Sequence, residues 1–372
     1  MNTSDKRNFL KLLSSTFLVG ASAAAMTTAV FAAGGGDGPI KVTYIYNYSA
    51  IDGGWNEGFY NSQEALKAEF GDDVEITYKE NVPEGPQSLR VIESAIQDGA
   101  NVLVNSSFGY GATFDTLAEK YPDVAFLAAQ WASKQPNVVG FDNAPEDGAY
   151  IAGIAAGYIV DQGATIGWVD AFPAPYDLRT LNGFALGVMR SNPTATVQVV
   201  FTNNWSDSNA YSQAARSLIN SGAQFLATSI GNPAIPEVGE SLGVPTFATG
   251  PNMGAVAPTH LVTSNQYVWA PSLIKAVHAI QNNELENDYI YSRLADGGIV
   301  LSPWGGAYDE LSDEAKADVQ AEYERVKGGG DVFVGPLEDK EGNLVLEDGV
   351  AMTKEQLVSV NFVLPNVVGG GF

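Results

Sequence analysis

The chain has no cysteine and only two histidines among its 372 residues. That removes disulfides, thiolate nucleophiles and cysteine-based metal sites together, so packing must carry the stability. Basic residues are scarce as well: 19 Lys and Arg stand against 43 Asp and Glu, a net charge of -24. A surface of that sign repels nucleic acid and anionic membrane, and neither is expected as a partner. It suits a saline habitat, where the Debye length shrinks from about 8 Å at physiological salt to about 3 Å at 1 M and self-repulsion is screened. Enzyme signatures are missing too: there is no Gly-x-Ser-x-Gly elbow, no Walker phosphate loop and no His-Glu-x-x-His. His260 and His278 lie in expected regular structure, away from the loop clusters. No metal or cofactor is expected.

What is present begins with a targeting pattern. Lys6 and Arg7 precede an apolar run from Phe9 to Val30, followed by Phe31-Ala32-Ala33 and a triple-glycine spacer. This predicts an export signal over residues 1–33, cleaved after Ala32 or Ala33. The order Asp5-Lys6-Arg7-Asn8-Phe9-Leu10-Lys11 also resembles a twin-arginine signal with Lys in the first Arg position, so Sec and Tat export both stay open. Ser14, Ser15, Ser22, Thr27 and Thr28 interrupt the apolar core and argue against a retained anchor, and without cysteine there is no lipid attachment at the cleavage site.

A chain of 39.3 kDa suggests two lobes of roughly 100 to 200 residues each. β-branched and aromatic residues predict a strand over 40–46, and Phe59, Leu66 and Phe70 mark one face of a helix starting at Trp55. Further strands are expected over 74–78, 101–105 and 124–129, with a helix marked by Leu89, Ile92 and Ile96 and another over 112–121. The nearly all-apolar run from Ala149 to Val160 reads as a buried helix whose glycines permit close packing. The alternation restarts at Thr165, with strands over 165–169, 196–201, 224–228 and 244–249 and helices between them. Strands alternating with helices form parallel, doubly wound sheets with right-handed crossovers. The expected division is a first lobe over 40–160 with a return segment of about 264–320, a second lobe over 161–263, and a C-terminal segment over 321–372 that crosses the hinge.

In open α/β sheets, ligands sit beyond the carboxyl ends of the strands. The chain concentrates aromatics, amides and carboxylates in those loops. The first lobe offers Asp52, Trp55, Asn56, Asn105, Phe108, Gln130 and Trp131, and the second offers Asp170, Phe172, Trp205, Asn232 and Gly250. An aromatic face stacked on a heterocycle is worth about 1–3 kcal/mol by the nucleic-acid precedent. Amides donate and accept at once, which suits the edge of a base. Asp52 and Asp170, each following a strand, also form a candidate carboxylate pair for a secreted glycoside or nucleoside hydrolase.

The ordered motifs Asp52-Gly53-Gly54-Trp55-Asn56, Val82-Pro83-Glu84-Gly85, Ser106-Ser107-Phe108-Gly109-Tyr110, Tyr121-Pro122-Asp123-Val124-Ala125-Phe126 and Tyr150-Ile151-Ala152-Gly153 resemble the basic membrane protein family of exported solute-binding proteins. The likeness continues through Ala171-Phe172-Pro173 and Asn192-Pro193 to Phe333-Val334-Gly335-Pro336-Leu337-Glu338-Asp339. It implies a type I periplasmic-binding fold, two Rossmann-like lobes on a multi-strand hinge, a purine-like ligand and an ABC-transporter permease as partner. It places base stacking on Trp55 and a neighbouring amide on Asn56. Two departures stand out. Nucleoside-binding members usually carry an Asp after the strand equivalent to 124–129, where this chain has Gln130-Trp131, and a Val-Asp pair where it has Gly250-Pro251. Both changes remove acceptors for sugar hydroxyls, which favours a free nucleobase or another flat heterocycle over a nucleoside. The expectation is a monomeric, non-enzymatic binding protein of the periplasm or cell exterior, with a sugar-binding protein of the same fold as its rival.

Overall fold

The computed structural model describes residues 38–371, so the export signal expected over 1–33 lies outside the described residues. The first lobe runs β1 (Ile40–Ile45), α1 (Trp55–Phe70), β2 (Val74–Lys79), α2 (Leu89–Gln97), β3 (Val102–Asn105), α3 (Gly111–Lys120), β4 (Ala125–Ala129) and β5 (Val138–Asn143). The chain then enters the second lobe with α4 (Pro145–Ile159), β6 (Thr165–Asp170), α5 (Pro175–Ser191), β7 (Thr196–Phe201), α6 (Ser208–Asn220), β8 (Ala223–Thr228), α7 (Ala234–Leu242), β9 (Thr246–Thr249) and β10 (Leu261–Tyr267). It returns to the first lobe for α8 (Ala270–Gln281) and β11 (Tyr289–Ser292). A last crossing delivers β12 (Ile299–Leu301), α9 (Gly306–Asp309), α10 (Asp313–Lys327), the hairpin β13 (Leu337–Glu338) and β14 (Leu344–Leu346), α11 (Lys354–Leu357) and β15 (Val367–Gly369).

The first sheet has the order β11-β5-β4-β3-β1-β2 and the second β12-β10-β9-β8-β6-β7-β15. Within these two sheets every pairing is parallel except β10 with β12, and the β13–β14 hairpin is antiparallel. The inner strands β3 and β4 are buried on both faces and read as apolar runs rather than alternations. In the first lobe Val42, Val102 and Val104 join one core, which also holds Phe59 and Trp269, while Ile45 and Leu103 join the opposite core with Phe114 and Phe126. This is a type I periplasmic-binding-protein architecture.

Three features differ from the sequence expectation. The apolar helix α4 belongs with the second sheet, because its buried face shares a core with Ile166, Trp168 and Phe184. A Cβ on Gly153 would stand 2.1 Å from the Phe184 carbonyl, and one on Gly187 2.1 Å from that of Tyr150, so only glycines allow α4 and α5 this close. The first crossing therefore falls near residue 144 rather than 160. The sequence reading also left β5 unassigned, and it ended the second lobe at 263 with a return to the first lobe over about 264–320, whereas β10 continues to Tyr267 and the return ends at Ser292, since β12 pairs with β10 and Val319 and Val326 of α10 join the second-lobe core. The hinge strands are cross-tied: Asn143 Nδ2 donates to the Val268 carbonyl at 3.3 Å, Asn265 Nδ2 to that of Pro145 at 2.8 Å, and the Ala144 amide to that of Ser292 at 2.9 Å.

Candidate functional site: the cleft between the lobes

The lobes meet at their strand ends. A Cβ built on Gly54, at the mouth of α1, would lie 2.6 Å from the Gly231 carbonyl of the β8–α7 loop, and one on Gly231 would lie 3.9 Å from the Trp55 amide. The two lips touch through bare backbone, which is a closed arrangement.

The first-lobe lip is built from the loop after β1. Asp52 accepts from the amides of Gly54, Asn56 and Glu57 at 2.9–3.1 Å, so its carboxylate satisfies the orphan donors that begin α1. That seats Trp55, whose Nε1 donates to the Ser106 carbonyl at 2.5 Å. Its indole meets Tyr267, from the hinge strand β10, at 5.3 Å and Trp269 at 5.1 Å, both edge-on. Beside it lie buried polar atoms with no partner: Asn56 Oδ1, Asn105 Nδ2 and Ser106 Oγ. The amide orientations are fixed by their other ends, since Asn56 Nδ2 donates to the Ser49 carbonyl at 3.2 Å and Asn105 Oδ1 accepts from the Ala129 amide at 2.8 Å. A buried unpaired polar atom costs about 1–3 kcal/mol, so a cluster of them at a cleft marks where a partner belongs.

The second-lobe lip carries Phe172 and Trp205, 5.3 Å apart, with Tyr176 at 6.0 Å from Trp205. Trp205 is 45% exposed, as are Phe108 (48%) and Tyr48 (51%) on the facing lobe. Deeper, Asp170 is fully buried and accepts from Trp168 Nε1, Ser229 Oγ and the Ala171 amide. Burial pushes its carboxyl up to about 6, against those three hydrogen bonds.

At the hinge side, Arg179 of α5 bonds Asp142 of β5 and, at 3.1 Å, Glu146 of α4, all nearly inaccessible to water. Burial opposes the guanidinium charge, but Asp142, Tyr291 and Glu146 together hold it well above the usual range. Glu146 is raised to about 7 by burial, despite Arg179. This ionic knot joins the lobes.

Not all the expected site residues gather at the cleft. Trp131 lies over the first turn of α3, with Nε1 on Asp115 at 3.1 Å and Phe108 at 5.1 Å, so it supplies no wall beside Trp55. Gln130 takes a left-handed backbone (φ 55) and its amide faces Asp142 at 3.4 Å. Asn232 is held in the loop before α7, its Oδ1 accepting from the Ala234 amide at 2.9 Å and its Nδ2 donating to Ser208 Oγ at 3.1 Å. Asp52 and Asp170 each accept three hydrogen bonds, Asp52 at the exposed mouth of α1 and Asp170 without solvent access. His260 and His278 pair with Glu240 and Glu69 near the surface. Sequence reasoning missed Arg179, Asp142, Tyr176, Asp177 and Ser229. No local signal marks Arg179, since its helical neighbours three and four residues away are Pro175, Tyr176, Asn182 and Gly183, a face that reads as solvated.

The profile described as "Bmp: ABC transporter substrate-binding protein PnrA-like" matches residues 40–326. The chain belongs to the Bmp family. Among the relatives of this Bmp-family chain is a purine-binding protein of Brucella abortus, 27% identical over 329 residues, which span 88% of this chain and 93% of that one. A putative ABC transporter glucose-binding protein of Haloferax volcanii is 28% identical over 287 residues, 77% of this chain and 72% of the relative. The fold matches an ABC transporter solute-binding protein from Conexibacter woesei with a TM-score of 0.64 at 24% identity, over 78% of this chain and 97% of that one. The solute-binding protein from Aeropyrum pernix matches at 0.62 and 16%, over 78% and 92%. As a Bmp member the chain is a substrate-binding protein for an ABC transporter, built to hold a small molecule. Among its described residues no helix is long and apolar enough to cross a membrane.

Proposed function

We propose that this Bmp-family protein is the extracytoplasmic, monomeric receptor of an ABC importer and that it carries a planar heterocycle, a purine nucleobase or nucleoside, in the inter-lobe cleft. The observation behind this is the set of unpartnered polar atoms of Asn56, Asn105 and Ser106 next to the Trp55 indole. A flat ligand stacked on Trp55 and edged with both donors and acceptors answers them, and Trp205 is the second-lobe ring available to cover its other face. The purine-binding relative supports the same class. Asp142 is tied to Arg179, so no free carboxylate near Gln130 is offered to ribose hydroxyls, which favours a base over its nucleoside. Closure follows from the ligand touching both lobes, since it stabilises the closed state by its differential affinity, and a membrane permease then reads that state.

A sugar is the second reading, supported by the glucose-binding relative and by hinge-side acceptors with no donor, Asn143 Oδ1 and Asn265 Oδ1. Calorimetry with adenine, guanine, hypoxanthine, their nucleosides and common hexoses separates the two. Saturable binding of sugars alone overturns the purine reading. Trp55→Ala is expected to weaken purine binding at least tenfold, about 1.4 kcal/mol, with folding intact.

A further inference from the structure

Within the second-lobe lip, three side chains hold more hydrogen bonds than they have obvious protons for. Asp170 Oδ2 accepts from Trp168 Nε1 at 3.0 Å and from Ser229 Oγ at 2.5 Å, and its Oδ1 accepts from the Ala171 amide at 2.7 Å. Three donors aimed at one carboxyl group suit the ionised form, so Asp170 is the anion. Asp177 Oδ1, at the start of α5, lies 3.1 Å from the same Ser229 Oγ. A hydroxyl has one hydrogen, and the shorter bond to Asp170 uses it. The second contact is a full two-centre hydrogen bond when Asp177 donates, rather than a share of a hydrogen already used by Asp170, and that arrangement assigns a proton to Asp177.

The surroundings agree. Asp177 is 5% exposed and its other oxygen, Oδ2, is buried with no partner. Burial raises this carboxyl well above its ordinary value, and Asp170 adds to the rise. Asp142 also faces it with negative charge, while Arg179, the cation in reach, is held by Asp142 and Glu146. The phenols of Tyr176, Tyr211 and Tyr267 complete the titratable neighbours. With the proton on Oδ1, Oδ2 is left as a neutral carbonyl-type acceptor.

We propose that Asp177 is a specificity-determining residue of the cleft, kept as a neutral acid by the Ser229–Asp170 relay, and that its Oδ2 accepts a hydrogen bond from a ring N–H or amino group of the ligand. The proposal rests on the nucleobase reading above. A neutral acceptor takes a neutral donor without demanding positive charge on the ligand, and it rejects an analogue that leaves the oxygen buried and unpaired.

The test uses the full chain with Asp177→Asn and Asp177→Leu. Asparagine copies the neutral acid, since its amide donates to Ser229 and its carbonyl replaces Oδ2. Leucine keeps the volume and has neither group. Ligand-free difference infrared spectra of wild type minus Asp177→Asn at neutral pH should show a protonated-carboxyl carbonyl band. Calorimetry with adenine should give Asp177→Asn within about threefold of wild type and Asp177→Leu at least tenfold weaker, with unfolding midpoints recorded for each. Of 9-methyladenine and 6-(dimethylamino)purine, at least one should lose affinity on wild type and not on Asp177→Leu. A missing acid band, Asp177→Asn as weak as Asp177→Leu, or neither analogue discriminated overturns the proposal. A wild type that binds no nucleobase overturns the reading beneath it and the ligand contact with it, while the band still tells whether Asp177 holds the proton.

Discussion

Substituting Gly54 by alanine should weaken ligand binding with little effect on the ligand-free fold. The new Cβ would stand 2.6 Å from the Gly231 carbonyl oxygen, a separation that real Cβ atoms do not tolerate. The opposing atom is backbone, so no rotamer change relieves the contact, and the lips must part instead. Overpacking of this kind costs about 1–3 kcal/mol. That cost falls on the closed state, and apparent affinity scales with the fraction of protein able to close, which translates to roughly five- to 150-fold weaker binding. Gly231→Ala is the matched control, because its Cβ would meet Gly250 Cα at 3.8 Å and the Trp55 amide at 3.9 Å, ordinary van der Waals distances. Calorimetry with the best ligand of the purine panel, alongside thermal unfolding without ligand, reads both quantities. If Gly54→Ala binds as well as Gly231→Ala, the lips do not meet in the bound state and the closure argument fails.

Three further outcomes are expected. Arg179→Met strands Asp142 and Glu146 as buried, unpaired carboxyls and should cost about 3–5 kcal/mol in urea unfolding; a loss below about 1 kcal/mol would mean the knot is hydrated or redundant. Asp170, raised by burial to about 6, is easier to protonate folded than unfolded, so its stabilising contribution is full below about pH 4 and lost as the pH rises through 6. The shift of about two units is worth about 3 kcal/mol, and the stability difference between wild type and Asp170→Asn should shrink accordingly between pH 4 and 7; a flat difference refutes it. With a net charge of -24, the melting temperature should climb between low salt and about 1 M salt, and an unchanged value removes self-repulsion as a factor.

The fold was legible wherever an apolar run alternated with an amphipathic one, as at Ile40–Ile45 followed by Trp55–Phe70. It was less so where tertiary context decided. Nothing local tells that α4 packs on α5 rather than behind β5, because an all-apolar helix carries no face. β5 escaped notice because Gly140 interrupts it and Gln135-Pro136-Asn137 precedes it as a turn. At the cleft, the glycine loop with Trp55 and Asn56 could be picked out from residue types alone. Trp131 could not be told from a ligand wall, since its engagement by Asp115 depends on where α3 lies. Arg179, Asp142 and Glu146 come from two different lobes, and their pairing follows only once the crossings are known.

The chain's three crossings also bear on how the molecule is made. The first sheet lacks its edge strand β11, and the Phe59 core lacks Trp269, Leu273 and Val277, until residues 269–292 arrive. The second sheet waits for β15 at Val367–Gly369, which pairs with β7. Neither lobe can reach its finished form as the ribosome emits it, so an early fragment displays an apolar flank and an open sheet edge for most of synthesis. The first sheet can therefore be completed only once residues through Ser292 have emerged, and the second only once residues through Gly369 have.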